Sequence, residues 1–233
     1  MNSRIVKFHE DWYKNLVAHS NEKELLVTKI GDLIQGKPRQ SCLEIGLGLS
    51  PYFAQRLASL FQDYTIVERR TYDDELPQKV RLINDDWETV ELSKKFDVII
   101  ASHVVYYFKD SKAAVDKMFT HLNSDGRIFF VVNGKESDYG PLKIAFSKTI
   151  NAEYAFTYDQ LMELLRNRKT REYTAQSNIS FDSLNELYEI LRISFDFYPQ
   201  EYQANKSKVL DYLRENVKGN KFFIDQKIIE ATA

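Results

Sequence analysis

The segment CLEIGLGLSPY, from Cys42 to Tyr52, constrains the fold of this chain more than any other. An apolar run ends in two glycines, Gly46 and Gly48, which are followed by Ser50 and Pro51. The pattern predicts a buried strand, a glycine turn and a helix with Ser50 as its N-cap and Pro51 at its first position. Turns of this kind can hold a nucleotide-like cofactor against the N-terminus of the helix.

Short β-branched runs alternate with helical stretches from Ser41 to Asn133. The runs SCLEIG, YTIVE, KVRLIN, FDVIIAS and RIFFVVN are typical of strands, whereas SPYFAQRLASLF and SKAAVDKMFTHL are typical of helices. Alternation at this spacing predicts a mostly parallel sheet with helices on both faces. We therefore expect a doubly wound α/β fold.

Helical patterns flank this region on both sides. The first forty residues are predicted to be helical, with one apolar face formed by Ile5, Phe8, Trp12 and Leu16. After Asn133 come further amphipathic helices, the strand-like segment REYTAQSNI and a closing strand, KFFIDQKIIEA. The helices between the last two strands exceed what a crossover needs, so we expect them to form a helical cap.

The glycine spacing argues against a dinucleotide cofactor. Such a site requires the pattern G-x-G-x-x-G. Gly46 and Gly48 fit this pattern, but the third position is Pro51. Because the proline ring fills space that the third glycine leaves open, a smaller cofactor without a pyrophosphate fits better.

Acidic residues stand where such a cofactor needs them. Glu44 lies two residues before the first glycine, and Glu68 ends the next strand, where a carboxylate can accept hydrogen bonds from both ribose hydroxyls. After the third strand, Asp86 can bind the exocyclic amine of adenine and Trp87 can cover the base. Taken singly, Asp86 is equally well a surface acid and Trp87 a core residue.

These motifs resemble those of the class I S-adenosylmethionine-dependent methyltransferases. LEIGLGLSPY, TIVE, NDDW, FDVIIASHVVYYF and LNSDGRIFFVVNG follow the order of that family. The resemblance implies a seven-stranded, Rossmann-like sheet whose last strand lies antiparallel beside the fifth. It also implies S-adenosylmethionine as cofactor, bound by Glu44, Gly46 and Gly48 at the methionine part, Glu68 at the ribose, Asp86 and Trp87 at the adenine, and Ser102 and His103 at the end of the fourth strand.

The same resemblance implies one methyltransferase domain over residues 1–233. Its parts are an N-terminal helical segment (1–40), a cofactor-binding half (41–134) and a substrate-side half with the cap and the closing strand (135–233).

The N-terminal stretch FHEDWYKNLVAHSNEKELL resembles the histamine N-methyltransferase group. The shared features are an aromatic-containing helix and a His-Ser-x-Glu turn, here His19 to Glu22. By that resemblance Glu22 binds the amine of the substrate and Tyr13 lines the pocket. Two regions differ from the group: His103 replaces a glutamine after the fourth strand, and Phe222 and Phe223 of the closing strand stand where an amide is placed. An alternative for Glu22 is an ordinary acid in the first turn of a helix capped by Ser20.

Three further residues are expected near the acceptor. His103 follows the fourth strand, where it can orient the acceptor or take its proton; a packing histidine is the alternative. Tyr106 and Tyr107 are expected to line the substrate pocket, although tyrosines also pack under a cap.

Composition excludes several classes of function. A net charge of −2 over 233 residues provides no basic surface for nucleic acid or for an anionic membrane. The single cysteine, Cys42, and four scattered histidines show no metal-ligand spacing, so no metal is expected. The N-terminus is not a signal peptide, and the apolar runs are too short to span a bilayer. We therefore expect a cytoplasmic protein.

The sequence thus predicts methyl transfer from S-adenosylmethionine to a small-molecule acceptor, most simply at an amine nitrogen. Two alternatives stay open: a small-molecule O-methyltransferase with His103 as base, and a catalytically inactive S-adenosylmethionine-binding module. Nothing in the sequence sets the oligomeric state.

Overall fold

The computed structural model of the chain describes residues 9–35, 40–72, 75–153 and 155–232. These residues divide into two compact units. Unit 1 comprises the chain up to Lys23, Asn133–Phe156 and Gln176–Gln226, and unit 2 comprises Glu24–Val132, Thr157–Ala175 and the chain from Lys227. Residues Ile5 and Phe8 of the predicted N-terminal face lie outside the described residues. No helix in the described part of the chain is long and apolar enough to cross a membrane.

The described residues contain one seven-stranded sheet with the order β3-β2-β1-β4-β5-β7-β6. Its strands are β1 Ser41–Ile45, β2 Asp63–Val67, β3 Val80–Ile83, β4 Phe96–Ser102, β5 Leu122–Asn133, β6 Lys169–Ser180 and β7 Lys221–Thr232.

Nine α-helices are present in the same described ranges. They are α1 Glu10–His19, α2 Glu22–Ile34, α3 Tyr52–Leu57, α4 Ser111–Thr120, α5 Tyr139–Thr149, α6 Thr157–Leu164, α7 Leu184–Ile190, α8 Pro199–Ala204 and α9 Lys206–Asn216. Short 3₁₀ helices follow α3, β4 and α7, at Ala58–Leu60, Val105–Tyr107 and Leu191–Phe195.

The first five strands pair in parallel. At the centre, Leu43 of β1 lies opposite Thr65 of β2 and Ile99 of β4, and β3 and β5 extend the sheet in the same direction. The closing strand β7 lies beside β5, as expected. Hydrogen bonds join Ser177 to Ile224 and Phe181 to Asn220, so β7 runs antiparallel to β6. The predicted mostly parallel seven-stranded sheet is confirmed.

Both faces of the central strands are buried in unit 2. Leu43 and Ile45 of β1 face one apolar cluster, to which α4 and α6 contribute. Cys42 of the same strand faces a second cluster with residues of α2 and α3. Alternate residues of one strand therefore enter different cores, which is the burial pattern of a doubly wound sheet.

The helices between the last two strands share an apolar cluster of their own in unit 1. It contains residues of α5, α7, α8 and α9, together with Phe222 and Ile224 of β7. Phe222 is therefore a core residue. The cluster accounts for the stability of these helices, because each of them is too short to persist without packing.

Several boundaries differ from the sequence-based expectation. Helix α3 begins at Tyr52, and Pro51 occupies the N-cap position that was expected for Ser50; no side chain caps this helix. Strand β5 begins at Leu122, where it pairs with Phe96 ahead of a register shift. Helices α5 and α8 are additional to the predicted elements.

Candidate functional site

The glycine turn between β1 and α3 requires its glycines for two separate reasons. Gly46 and Gly48 have φ angles of 81° and 71°, a region that side chains disfavour. A Cβ atom on Gly46 would also lie 2.4 Å from Cγ1 of Val104. The Gly46 N–H donates to the Val67 carbonyl at 2.9 Å, which ties the turn to the end of β2. The turn thus brings bare backbone to the carboxyl end of the sheet.

The Glu68 carboxylate lies against this turn. One of its oxygens accepts a hydrogen bond from the Leu47 N–H at 2.8 Å, and the other accepts one from the Arg70 N–H at 2.9 Å. Glu68 is buried, with 6% of its surface exposed. Because a carboxylate has about four acceptor positions, it can still accept bonds from a ligand.

Two residues that sequence reasoning did not assign hold Glu68 and the turn in place. The Arg70 guanidinium donates to the Gly48 carbonyl, and its Nε lies 3.3 Å from Glu68 Oε1. Asn84 donates from Nδ2 to the carbonyls of Glu68 and Arg70, both at 2.8 Å. The only signal for Arg70 in the sequence is its position two residues after Glu68, which by itself does not predict a bond across to the glycine turn.

Glu44 is buried in the last part of β1, with 3% of its surface exposed. Its Oε2 accepts a hydrogen bond of 2.8 Å from the hydroxyl of Tyr64 in β2. The pKa of Tyr64 is raised well above its usual value, first by burial and then by the negative charge of Glu44. Tyr64 therefore remains a proton donor to Glu44 at all ordinary pH values.

The loop after β3 places Asp86 and Trp87 differently. Asp86 is half-buried, and its Oδ1 accepts a bond from the Glu88 N–H at 2.9 Å. Trp87 is only 3% exposed and lies in the core cluster shared with α4, where its Nε1 donates to the Ala114 carbonyl at 3.1 Å. This packing favours the core interpretation of Trp87. Its contact with an adenine base stays a prediction.

Strand β4 ends in an unusual conformation. His103 has a φ of 54°, in the left-handed region that few non-glycine residues adopt, and its N–H donates to the Val131 carbonyl at 3.0 Å. The hydroxyl of Ser102 is buried and has no hydrogen-bond partner among the described residues. A strained residue beside an unsatisfied buried hydroxyl is typical of a functional site.

Tyr106 and Tyr107 follow in the 3₁₀ helix after β4. Both are half-buried, and their ring centres lie 4.6 Å apart. The structure thus brings the two predicted substrate-site tyrosines together, close in sequence to His103. Their contact with an acceptor stays a prediction.

In unit 1, a second group of predicted residues lines one small pocket. The pocket is lined by Tyr13, Leu16, Val17, Ser20, Glu22 and Lys23. Glu22 begins α2, and its N–H donates to the Ser20 hydroxyl at 3.1 Å, so Ser20 caps this turn as the alternative interpretation expected. Glu22 is nevertheless 9% exposed, which is unusual for a helix-start acid.

Gln226 of the closing strand is the partner that explains this burial. Its Nε2 donates to Glu22 Oε2 at 3.1 Å and to the Ser177 hydroxyl at 2.9 Å. The closing strand therefore carries a buried amide at Gln226, although Phe222 and Phe223 stand where the sequence resemblance places an amide. The sequence signal for Gln226 is the alternation of buried residues along β7, because this amide interrupts the buried apolar series Phe222, Ile224 and Ile228.

No group of three His, Cys, Asp or Glu side chains that could hold a metal ion occurs among residues 9–35, 40–72, 75–153 and 155–232. Cys42 is buried, and burial together with the charge of Glu44 raises its pKa.

Comparisons with known proteins give the family. The model of a methyltransferase domain family matches residues 18–193, and a search of curated protein sequences found no match. Similar solved structures include a candidate methyltransferase of an antibiotic biosynthesis pathway from Anabaena variabilis, with a TM-score of 0.63, 17% identity and coverage of 89% of this chain and 96% of that chain. For a candidate methyltransferase from Bacillus halodurans the values are 0.61, 13%, 88% and 97%.

A third similar structure is the N-methyltransferase NodS from Bradyrhizobium japonicum in complex with S-adenosyl-L-homocysteine. Its TM-score is 0.52 at 13% identity, with coverage of 95% of this chain and 96% of that chain. At such identities these likenesses show a common fold. The family model spans well over half of the chain and includes parts of both units. The chain therefore belongs to the methyltransferase domain family and is an S-adenosylmethionine-dependent methyltransferase.

Proposed function

We propose that the chain transfers a methyl group from S-adenosylmethionine to an amine nitrogen of a small molecule. The observation that carries this proposal is the buried carboxylate of Glu22, which lines a pocket with Tyr13 and is held by the amide of Gln226. A buried carboxylate is costly unless it is compensated, and a cationic amine is a partner that would compensate it further.

The residues of the glycine turn fit the cofactor. Gly46 and Gly48 offer bare backbone, and Glu44 lies next to them for the methionine part. Glu68 retains acceptor capacity for the ribose hydroxyls. The Ser102 hydroxyl lacks a partner among the described residues, so a polar group of the cofactor can satisfy it. Asp86, with Trp87 beside it, is assigned to the adenine.

Glu22 acts through its charge. When bound, S-adenosylmethionine would supply an electrophilic methyl group: the bond from sulfur to methyl breaks as the N–C bond forms, the sulfonium becomes a neutral thioether, and the acceptor nitrogen becomes positive. Glu22 stabilises that developing charge, so it favours the transition state over the ground state. The same carboxylate raises the pKa of the free amine and reduces the fraction able to attack.

His103 supplies the compensating step in this scheme. It takes the proton from the acceptor amine, or passes it to water, so that the neutral amine can attack. Its backbone lies in the left-handed region at the end of β4. Tyr106 and Tyr107 add aromatic surface for the acceptor.

Within the family, we propose that the chain belongs to a histamine N-methyltransferase-like group. Gln226 provides the closing-strand amide that this group leads one to expect, and it contacts Glu22 directly. Because His103 replaces the glutamine of that group, we expect an acceptor amine other than histamine.

One other activity has an observation in its favour. His103, with its left-handed backbone at the end of β4, is also the candidate general base for a hydroxyl or carboxyl acceptor, which supports O-methylation as the second candidate. A catalytically inactive binding module would keep the glycine turn and show no turnover.

A methylation screen separates these functions. The purified protein is incubated with methyl-labelled S-adenosylmethionine and pooled small amines, phenols and carboxylic acids, and products are identified by mass. Label on nitrogen supports the proposal, and label on oxygen replaces it with the second candidate. Cofactor binding without any product from these pools contradicts both.

A further inference from the structure

The Tyr64 hydroxyl of β2 donates a hydrogen bond of 2.8 Å to the Glu44 carboxylate. We propose that Tyr64 is a positioning residue, which aligns Glu44 for the amino group of the cofactor and thereby sets the preference for ligands that carry this group. The inference rests on the proposed assignment of Glu44 to the methionine part of the cofactor.

The register of β1 and β2 places Tyr64 near Glu44. Cys42 lies opposite Tyr64, and Glu44 lies opposite Ile66 in the parallel β1–β2 pair. Since side chains alternate along a strand, Cys42, Glu44 and Tyr64 point to the same face of the sheet. A tyrosine ring is long enough to reach the diagonal neighbour on that face. The hydroxyl therefore meets Glu44 because of the register.

Both side chains of this hydrogen bond are buried. Glu44 is 3% exposed and Tyr64 is fully buried among apolar residues such as Phe61 and Leu57. A carboxylate in such surroundings is strongly destabilised unless it accepts hydrogen bonds. Loss of the Tyr64 hydroxyl removes a hydrogen bond that orients this carboxylate and stabilises its charge. This charge lies two residues before Gly46.

The proton of this hydrogen bond stays on Tyr64. Burial and the charge of Glu44 together raise the pKa of Tyr64 well above its usual value. The phenol hence keeps its proton and remains a donor, which leaves the negative charge on Glu44. This charge is what an ammonium group recognises, whereas an adenosine moiety alone does not need it.

The test compares two ligands that differ in the amino-acid part. S-Adenosylhomocysteine carries the amino group, and 5′-methylthioadenosine lacks the entire amino-acid end. The variant Tyr64→Phe keeps the ring and removes only the hydroxyl. We expect it to weaken S-adenosylhomocysteine binding about tenfold or more, as for loss of a hydrogen bond to a charged group. Methylthioadenosine affinity should change less than about twofold, by titration calorimetry.

A matched control is Thr65→Val. Thr65 is the next residue of β2, it is fully buried, and its hydroxyl has no hydrogen-bond partner among the described residues. This variant also removes a buried hydroxyl from β2, but it should leave the affinity ratio of the two ligands unchanged. A general loosening of the strand would instead move both variants and both ligands together, which would overturn the inference.

Glu44→Gln keeps the test decisive if Tyr64→Phe folds poorly. Glu44→Gln should also lower the affinity for S-adenosylhomocysteine relative to that for methylthioadenosine. Adding Tyr64→Phe to Glu44→Gln should lower this affinity ratio no further. An unchanged ratio in Glu44→Gln overturns the inference whatever Tyr64→Phe does. If the wild-type protein binds neither ligand, the proposed function fails instead, so the two failures are distinguishable.

Discussion

Gln226 Nε2 lies 3.1 Å from Glu22 Oε2, a contact between residues near opposite ends of the sequence. The same nitrogen lies 2.9 Å from the Ser177 hydroxyl, which in turn donates to the Ile224 carbonyl. Both N–H bonds of the amide are therefore used, and the orientation of one Glu22 oxygen is fixed. The N-terminal acid is thus built into unit 1 by the last two strands.

The first prediction follows from this contact. Glu22→Gln removes the charge but keeps the size and an acceptor for Gln226. Turnover of an amine acceptor should fall about tenfold or more, since the developing cation loses its counter-charge. S-Adenosylhomocysteine affinity should stay nearly the same in calorimetry. The control is Glu24→Gln, an exposed acid of the same helix. Full activity of Glu22→Gln on its amine would reduce Glu22 to a helix-start acid.

Gln226→Met provides a separate prediction on stability. The change keeps the volume but leaves the Glu22 carboxylate and the Ser177 hydroxyl short of one partner each. We expect a loss of about 1–3 kcal/mol in the free energy of unfolding, measured by urea denaturation. The exposed Gln203 of α8 offers the control Gln203→Met, which should change stability by less than about 0.5 kcal/mol. Equal effects of the two variants would contradict the role of the amide.

Glu68 requires a gentler substitution than alanine. Its carboxylate is buried and accepts hydrogen bonds from the Leu47 and Arg70 N–H groups. Alanine would leave both N–H donors without an acceptor, whereas Glu68→Gln retains one acceptor oxygen. We expect this variant to bind S-adenosylhomocysteine about tenfold more weakly, because charged hydrogen bonds to the ribose are lost. Unchanged calorimetric affinity would remove Glu68 from the ribose site, and exposed Glu75→Gln serves as control.

The glycine turn also predicts cofactor selectivity. Pro51 occupies the third glycine position and is buried at the N-cap of α3. A proline there cannot provide the close packing of helix against strand that the third glycine of a dinucleotide site allows. S-Adenosylmethionine and S-adenosylhomocysteine should bind, and NAD should not, in parallel calorimetric titrations. Tight NAD binding would show that Pro51 does not restrict the turn.

The parallel core of the fold could be predicted because its signals are local. Each strand from β1 to β5 is a short β-branched run, and Gly46 and Gly48 stand where φ is positive. Helix α5 was not predicted, since Gly140 and Pro141 at its start resemble a loop. Gly140 is needed there for packing, because a Cβ atom would lie 1.7 Å from the Lys135 carbonyl oxygen. Such a reason depends on the path of the turn before the helix and leaves no pattern of residue types.

The candidate site divides in the same way. Glu44, Glu68 and the two glycines follow from strand ends, which sequence patterns locate well. Arg70 and Gln226 act through side-chain contacts across 22 and 204 positions of the chain. Such partners depend on how strands are ordered in the sheet, and the ordering of β7 between β5 and β6 has no local signature. That residues 1–233 form one methyltransferase domain stays a prediction.

The last prediction concerns Lys143, a buried cation of α5. Its ammonium group donates to the Ser194 carbonyl and lies 4.2 Å from the centre of the Phe195 ring. Burial lowers the pKa of Lys143 to about 7, and the charge of Asp196 opposes the shift. Between this value and the ordinary 10.5 the unfolded chain holds a proton that the folded chain has released. Stability should therefore rise with pH across this window, because the unfolded state binds more protons.

Lys143→Met removes the titrating group and keeps an unbranched apolar side chain. The wild-type protein should gain stability relative to this variant as the pH rises from about 7 to about 10, with the difference in Tm measured by thermal unfolding at each pH. Below pH 7 both states of the wild-type chain carry the Lys143 proton, so any remaining trend belongs to Asp196, whose pKa is raised by burial to about 6. Lys148→Met, an exposed lysine of the same helix, should show no such trend. A pH-independent difference for Lys143→Met would mean that the folded protein keeps Lys143 protonated, with Asp196 as an adequate counter-charge.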